Sequence, residues 1–342
     1  MTHEISLMLD HVHSHILEFY LQKVKDKNIC DFKKSRDLCE GDIKYILEYL
    51  SQALNLESPQ LFEDFTAWLI DLLVYRNIPM HPILKRYQIL QEGIKTVLPE
   101  ISSGVAPCFE EALKHGSFVP KSTETPILPP EDDLLGKYIR FVIGGNRKAR
   151  ELVFKELKKG LTIFHVYMKI FEPAQHLIGR LWQINVISAA QEHYATVVIE
   201  TIMSELYLKI FISEKNGLKM ASFCIGTELH ELGIRMVTDF FEMEGWDTSF
   251  FGAHLTIPDM LKTLHEESFD LVAISTTMIA HLKSLQMFIQ KIREQDFSKS
   301  MKIIASGYPF LVDNDLWEKG YTDIKAQNAQ KAIRLTNTWF NV

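Results

Sequence analysis

Cysteine is scarce: the 342 residues hold Cys30, Cys39, Cys108 and Cys224, too far apart to form a C-x-x-C pair. Neither a zinc knuckle nor a disulfide scaffold is indicated, and a reducing cytoplasm is the expected location. Long apolar runs are missing too. The most apolar stretch, Phe65 to Tyr75, is short and interrupted by Asp71, and Met1-Thr2-His3-Glu4 carries no basic region. No membrane span or export signal is therefore expected. Nor is there a concentrated positive block: 44 acidic residues outnumber 37 basic ones, for a net charge of −7. Arg147-Lys148-Ala149-Arg150 is short and is followed by acids, so direct nucleic-acid binding and anionic-membrane binding both lose support. Common catalytic signatures are absent. His230-Glu231 lacks the second histidine of a zincin, and no G-x-S-x-G, Walker loop or G-x-G-x-x-G occurs in a suitable context.

What is present is an ordinary globular composition, 46% apolar and 24% charged, in a chain long enough for two or three cores. Residues 1–116 read as an all-α domain. Apolar side chains recur at three- and four-residue steps in Ile5-Leu9-Val12-Ile16-Tyr20, in Ile43-Ile46-Leu47-Leu50-Leu54 and in Phe62-Phe65-Leu69-Leu72-Leu73, and a further helix runs from Ile83 to Leu98. Pro120, Pro126, Pro129 and Pro130 with neighbouring Ser and Thr mark residues 117–133 as an extended linker. Residues 134–215 then carry four helical patterns, Leu134 to Val142, Asn146 to Lys158, about Thr162 to Leu181 and Ser188 to Phe211. Their short connections suggest a four-helix bundle.

After Asn216-Gly217 the periodicity changes. Short apolar runs at Lys219 to Ile225, Asp247 to Phe251, Leu271 to Ser275 and Lys302 to Ala305 alternate with helical stretches at Gly233–Glu244, Pro258–Glu267 and Ile279–Gln295. This alternation predicts a parallel, doubly wound α/β domain over residues 216–342. Ligands of such sheets bind beyond the carboxyl ends of the strands, at the switch point. The loops opening at Gly226, Gly252, Ser275 and Ser306 are therefore the ones that should carry function.

The first loop reads Glu228-Leu229-His230-Glu231-Leu232-Gly233. An imidazole here can reach a metal, a carboxylate two residues earlier can orient its other nitrogen, and a glycine lets a bulky ligand approach the backbone. A helix-start histidine capping local carbonyls is the alternative identity of His230. Its setting favours a ligand: Gly252 follows the second strand, Ser275-Thr276-Thr277 spans the end of the third, and Ser306-Gly307 follows the fourth.

In these residues the chain resembles cobalamin-binding domains of the methionine-synthase type, which have a D-x-H-x-x-G loop. The resemblance implies a flavodoxin-like (Rossmann-like) fold in which His230 is the lower ligand of cobalt. Glu228, Leu229, Gly233, Gly252, Ser275, Thr276, Thr277, Ser306 and Gly307 would surround the cofactor. Glu228 replaces the family's usual Asp, which leaves its hydrogen bond to His230 possible but the geometry open.

Trp182 is separated by nine residues from Glu192-His193. This W-x9-E-H spacing resembles adenosylcobalamin photoreceptors of the CarH type. The resemblance implies that Trp182 packs on an upper adenosyl group, that Glu192 accepts from its ribose hydroxyls, and that His193 is a nearby polar contact. The bland alternative has Trp182 filling the bundle core and Glu192-His193 on a solvated helix face. Gln183 stands where the best-known relatives have a light-state histidine ligand, and no MerR-type DNA-binding domain is present. The N-terminal domain resembles, more weakly, globin-like sensor modules, including those of photocobilins that hold a linear tetrapyrrole such as biliverdin. His11, His13, His15 and His81 could contact such a pigment or haem, or could simply be exposed helix histidines.

The expected function is thus a non-enzymatic light sensor, a homo-oligomer whose assembly depends on light. The alternative is a corrinoid carrier that hands methyl groups between partner proteins.

Overall fold

The computed structural model describes residues 14–23, 32–78, 80–117, 128–145, 147–210, 214–227, 229–319, 322–324, 326 and 328–340. It divides into two compact units. One comprises Met1–Thr123 with the short pieces Met278–Lys283 and Val312–Leu316, and the other comprises the remainder. The expected linker at residues 117–133 falls largely outside the described residues.

The first unit is helical: α1 (residues 14–23), α2 (Phe32–Asn55), α3 (Pro59–Val74), α4 (Met80–Val97) and α5 (Ser102–Ser117). Its apolar stripes meet in an aromatic core. Tyr49 and Phe65 have ring centroids 3.9 Å apart, and Phe62 packs on both Tyr87 and Phe109. The Tyr87 hydroxyl would be costly to bury alone and sits 3.1 Å from Thr66 Oγ1. Cys108 and Cys224 are buried thiols outside any disulfide, and burial pushes the Cys108 thiol up to about 11, which makes it inert. Of the four histidines considered for a pigment, His15 is exposed. His11, His13 and the side chain of His81 lie outside the described residues.

The second unit opens with four bundle helices. Asp133 accepts from the Leu135 and Gly136 amides and starts α6 (Leu134–Ile143). A Cβ on Gly136 would come within 2.2 Å of the Pro130 carbonyl oxygen, so only glycine permits this entry. Next comes α7 (Lys148–Lys158), which begins later than the apolar pattern suggested; Asn146 is outside the described residues. The third helix is continuous from α8 (Ile163–Val166) through a π-turn (Tyr167–Phe171) into α9 (Glu172–Gln183). Such a turn inserts one residue into the helical ladder and rotates the side chains beyond it, and no sequence period announced this one. Ser188 and Gln191 form a reciprocal capping box that starts α10 (Ala189–Tyr207).

The α/β part consists of β1 (Lys219–Cys224), α11 (Leu232–Met243), β2 (Asp247–Gly252), α12 (Ile257–Glu267), β3 (Leu271–Ser275), α13 (Leu282–Arg293), β4 (Lys302–Ser306), α14 (Pro309–Val312) and α15 (Ala329–Phe340). The strands are parallel in the order β2-β1-β3-β4. β1 and β3 are central and almost wholly buried, whereas β2 is half-exposed at the edge, in keeping with the continuous apolar runs of the central strands. The predicted strands and α11–α13 lie where the alternation put them. The closing helix α15 was not foreseen. Residues 322–324 run beside β4, Asp323 N–H donating to Ile303 O at 2.8 Å and Ile303 N–H to Asp323 Oδ2 at 2.7 Å. One hydrophobic cluster spans bundle and sheet, from Tyr138, Phe171 and Ile199 to Phe240, Trp246 and Leu271.

Candidate functional site

In the order β2-β1-β3-β4 the chain leaves β1 toward one side and returns on the other. The switch point is therefore the crevice between the carboxyl ends of β1 and β3. The loop after β1 turns at Gly226, where φ is +68°, and ends at His230, whose side chain is exposed two residues before α11 begins. The Cys224 thiol donates to the His230 carbonyl at 3.9 Å, and Glu231 N–H donates to Leu229 O at 3.0 Å. The backbone of this loop is thus held on the strand side. Leu229 is also exposed. Glu228 lies outside the described residues.

Backbone contacts join the loops after β1, β3 and β4. Ile225 N–H donates to Ser275 O at 3.1 Å, and Thr276 N–H to Ser306 O at 3.0 Å. A Cβ on Gly307 would stand 1.8 Å from the Thr276 oxygen, and φ there is +126°, so no other residue allows this approach. Gly252, φ +67°, is similarly covered: its Cβ would lie 2.9 Å from Glu231 Oε2. Ser275 and Thr276 are buried, Thr277, Ser306 and Gly307 half-buried, and Gly233 exposed in the first turn of α11. His254 was not singled out from the sequence. It is exposed in the loop after β2 with φ +62°.

On the bundle, Trp182 lies in the last turn of α9, half-buried against the hydrophobic cluster, so it partly fulfils the bland reading. Asn185, φ +61°, turns the chain toward α10. In the first turns of that helix Glu192 Oε2 is 2.6 Å from His193 Nδ1, and Thr196 donates to Glu192 Oε1 at 3.4 Å. Gln175 of α9 donates to Thr196 at 3.3 Å. Trp182 and the Glu192-His193 pair therefore flank one helix–helix corner. Gln183 is buried and accepts from Arg180 at 2.7 Å.

Among the described residues, the carboxyl whose acidity is most displaced belongs to a pair that no sequence motif marked. The Tyr167 hydroxyl, on the π-turn, donates to Asp239 Oδ2 of α11 at 2.6 Å, and both side chains are buried. Burial pushes the Asp239 carboxyl up to about 6, partly opposed by the Tyr167 hydrogen bond and by Arg235. Burial and the neighbouring carboxylate push the Tyr167 phenol far above its ordinary value. The period of α11 could mark Asp239 as inward-facing, but its partner depended on the unforeseen π-turn.

A cleft of about 220 Å³ lies between the two helices, lined by Met168, Glu172, Gln175 and His176 on one side and Leu232, Gly233 and Met236 on the other. It brings Gly233 to the bundle. Trp182, Glu192, His193 and His230 do not line it.

The residues at the sheet edge fit a corrinoid. His230 is exposed at the switch point, Gly307 lies so close to the Thr276 backbone that a Cβ there would collide, and a Cβ at Gly252 would meet the Glu231 carboxylate. Among the described residues no cluster of three or more His, Cys, Asp and Glu could hold a metal by itself, and no helix is long and apolar enough to cross a membrane.

Comparison with known proteins points the same way. Residues 218–334 match a family model described as B12 binding domain, and residues 137–207 match a second model of the same description. The dimethylamine corrinoid protein 3 of Methanosarcina acetivorans is 23% identical over 107 residues, 31% of this chain and 49% of that protein. The dimethylamine corrinoid protein of Methanosarcina barkeri is 23% identical over 122 residues, 34% and 56% of the respective chains. The chain thus spans about half the length of these curated relatives. The structure of the monomethylamine corrinoid protein of Methanosarcina barkeri superposes with a TM-score of 0.53 at 17% identity, covering 60% of this chain and 98% of that one, which establishes a shared fold. Residues 137–334 are accordingly a cobalamin-binding region, a helical cap followed by an α/β domain.

Proposed function

We propose that this protein is a corrinoid carrier, holding cobalamin with His230 as the lower ligand of cobalt and offering the upper face to partner proteins for methyl transfer. The observation that carries the reading is the exposed His230 at the β1/β3 switch point, beside loops whose backbones meet where Gly307 abuts Thr276. The dimethylamine and monomethylamine corrinoid proteins support carriage over light sensing. When bound, cobalamin supplies a cobalt that accepts and releases a methyl group.

The chain's own residues bind and orient. His230 offers a ring nitrogen to the metal. Ser275, Thr276, Thr277 and Ser306 offer hydroxyls to the polar tail of the cofactor, and the glycines remove side-chain bulk beside it. Trp182, Glu192 and His193 would border the opposite face of the bound cofactor. The chain acts here as a carrier for enzymes and is not itself the enzyme. Reconstitution with hydroxocobalamin tests the reading: a His-on absorption spectrum that His230→Ala abolishes supports it, and an unchanged spectrum in that variant defeats it.

One observation favours a second reading, an adenosylcobalamin light sensor: the W-x9-E-H motif lies at a single helix corner, with Glu192 bonded to both His193 and Thr196. Selective retention of adenosylcobalamin over methylcobalamin, and a change in elution volume on illumination, would favour this reading. Equal retention and a light-independent elution volume would eliminate it. A linear tetrapyrrole in the N-terminal unit belongs to this reading alone, and added biliverdin that leaves the spectrum unchanged would remove it.

A further inference from the structure

The helix that begins just after His230 is tied to the bundle by a polar contact that its packing does not require. α11 buries an apolar face against the bundle, where Phe240 meets Phe164 and Tyr167 with centroids 4.9 and 5.6 Å apart. Within this apolar contact lie an acid and a phenol, Asp239 and Tyr167, hydrogen-bonded at 2.6 Å and both essentially solvent-free. A leucine–phenylalanine pair would bury the same area without desolvating a carboxylate. The phenol comes from the π-turn, the one place in the third bundle helix where an inserted residue alters the direction of side chains. Beyond that turn the same helix continues to Trp182. A second bond fastens α11 to α10, Arg235 donating to Ser204 at 2.9 Å.

We infer that Tyr167 and Asp239 are positioning residues for His230: their hydrogen bond fixes the seating of α11 on the bundle, and through it the imidazole at the start of that helix. The inference rests on His230 being the cobalt ligand. A directional bond suits this task where dispersion does not, because apolar surfaces can slide by a fraction of a turn at little cost, whereas a 2.6 Å bond between buried groups tolerates one arrangement. The same contact makes the bundle and the lower ligand parts of one mechanical element. A change at the upper face that moves the third bundle helix is thereby felt at His230, and the reverse holds by reciprocity. The ionisable groups facing Asp239 are Tyr167 from the π-turn, Tyr207 from α10, and Arg235 and Glu242 from α11 itself.

The test uses the full chain loaded with hydroxocobalamin at neutral pH, reading the ratio of His-on to His-off cobalamin from the absorption spectrum. Tyr167→Phe keeps the ring and removes the bond; Asp239→Asn keeps the shape and an acceptor. Tyr167→Phe should lower the ratio roughly tenfold, Asp239→Asn by less, and the double variant should fall no further than Tyr167→Phe alone, as expected for partners in one interaction. In the cofactor-free protein, amide exchange at residues 232–236 should accelerate in Tyr167→Phe, with the sheet amides of β1 and β3 unchanged, which separates loss of seating from general unfolding. A ratio and an exchange rate in Tyr167→Phe equal to those of the parent would overturn the inference. His230→Ala, measured alongside, tests the underlying reading independently: if it retains the His-on spectrum, His230 is not the ligand, whatever Tyr167→Phe does.

Discussion

Replacing Asp239 by Asn should make the cofactor-free protein more stable at neutral pH and have little effect in acid. The carboxyl is 2% exposed and is pushed up from 3.8 to about 6, chiefly by burial. The folded chain therefore holds this proton more tightly than the unfolded chain. The group's contribution is favourable below pH 4, declines as pH rises through about 6, and is level above that. At roughly 1.4 kcal/mol for each tenfold change in proton binding, the interval corresponds to about 3 kcal/mol lost by neutral pH. Asn carries no charge to desolvate and still accepts from Tyr167, though a neutral acceptor forgoes about 1 kcal/mol of a charge-assisted bond. The net expectation is a gain of about 1–3 kcal/mol at pH 7.5, shrinking toward zero near pH 4.5. Urea unfolding at a series of pH values, followed by tryptophan fluorescence, measures it directly. A parent protein more stable than the variant at pH 7.5, or a difference independent of pH, would refute the claim that an ionised carboxylate is buried there at a cost.

Three other outcomes are expected at the site. Gly307→Ala should destabilise the α/β domain by at least about 1–3 kcal/mol from backbone conformation alone, with further loss because the new Cβ meets the Thr276 oxygen; a melting temperature within a degree of the parent's would contradict that packing. His230→Ala should remove the His-on spectrum of bound cobalamin while His254→Ala, an exposed imidazole on the neighbouring loop, leaves it intact, and the reverse pattern would reassign the ligand. Trp182→Ala should change the ratio of adenosyl- to methylcobalamin affinity if the indole borders the upper face, and equilibrium binding that gives equal ratios before and after would move Trp182 into the structural core alone.

The parts of this molecule written in local chemistry were legible in the sequence. Continuous apolar runs gave β1 and β3, the apolar periods beginning at Leu134 and Ser188 placed two bundle helices, and the small residues at Gly252, Ser275 and Gly307 lay where a doubly wound sheet presents its loops. Strand order, which selects the β1/β3 crevice, depends on long-range pairing, and no short window contains it. The π-turn was hidden for a different reason. Tyr167–Phe171 carries an unexceptional apolar pattern, and its insertion is detectable only once Tyr167 is seen to face Asp239, 72 positions away. Residues 322–324 escaped notice because they are held by Asp323 and Thr322 side chains on Ile303 rather than by a strand-like apolar run.

Sequence and fold differ in what they say about output, and the difference has a physical basis. A histidine at the switch point and small residues in the neighbouring loops serve the holding of cobalamin itself, which a carrier and a sensor have in common, so they cannot separate the two. Separation comes from the upper face. A carrier must let a partner's substrate reach the cobalt, which requires a cap that can withdraw; a sensor must retain its ligand in the dark, which requires a cap that stays closed. The Tyr167–Asp239 bond lies beneath this choice: it joins α11 to the third bundle helix, and a directional bond between buried groups holds that contact in one arrangement whichever way the upper face is used.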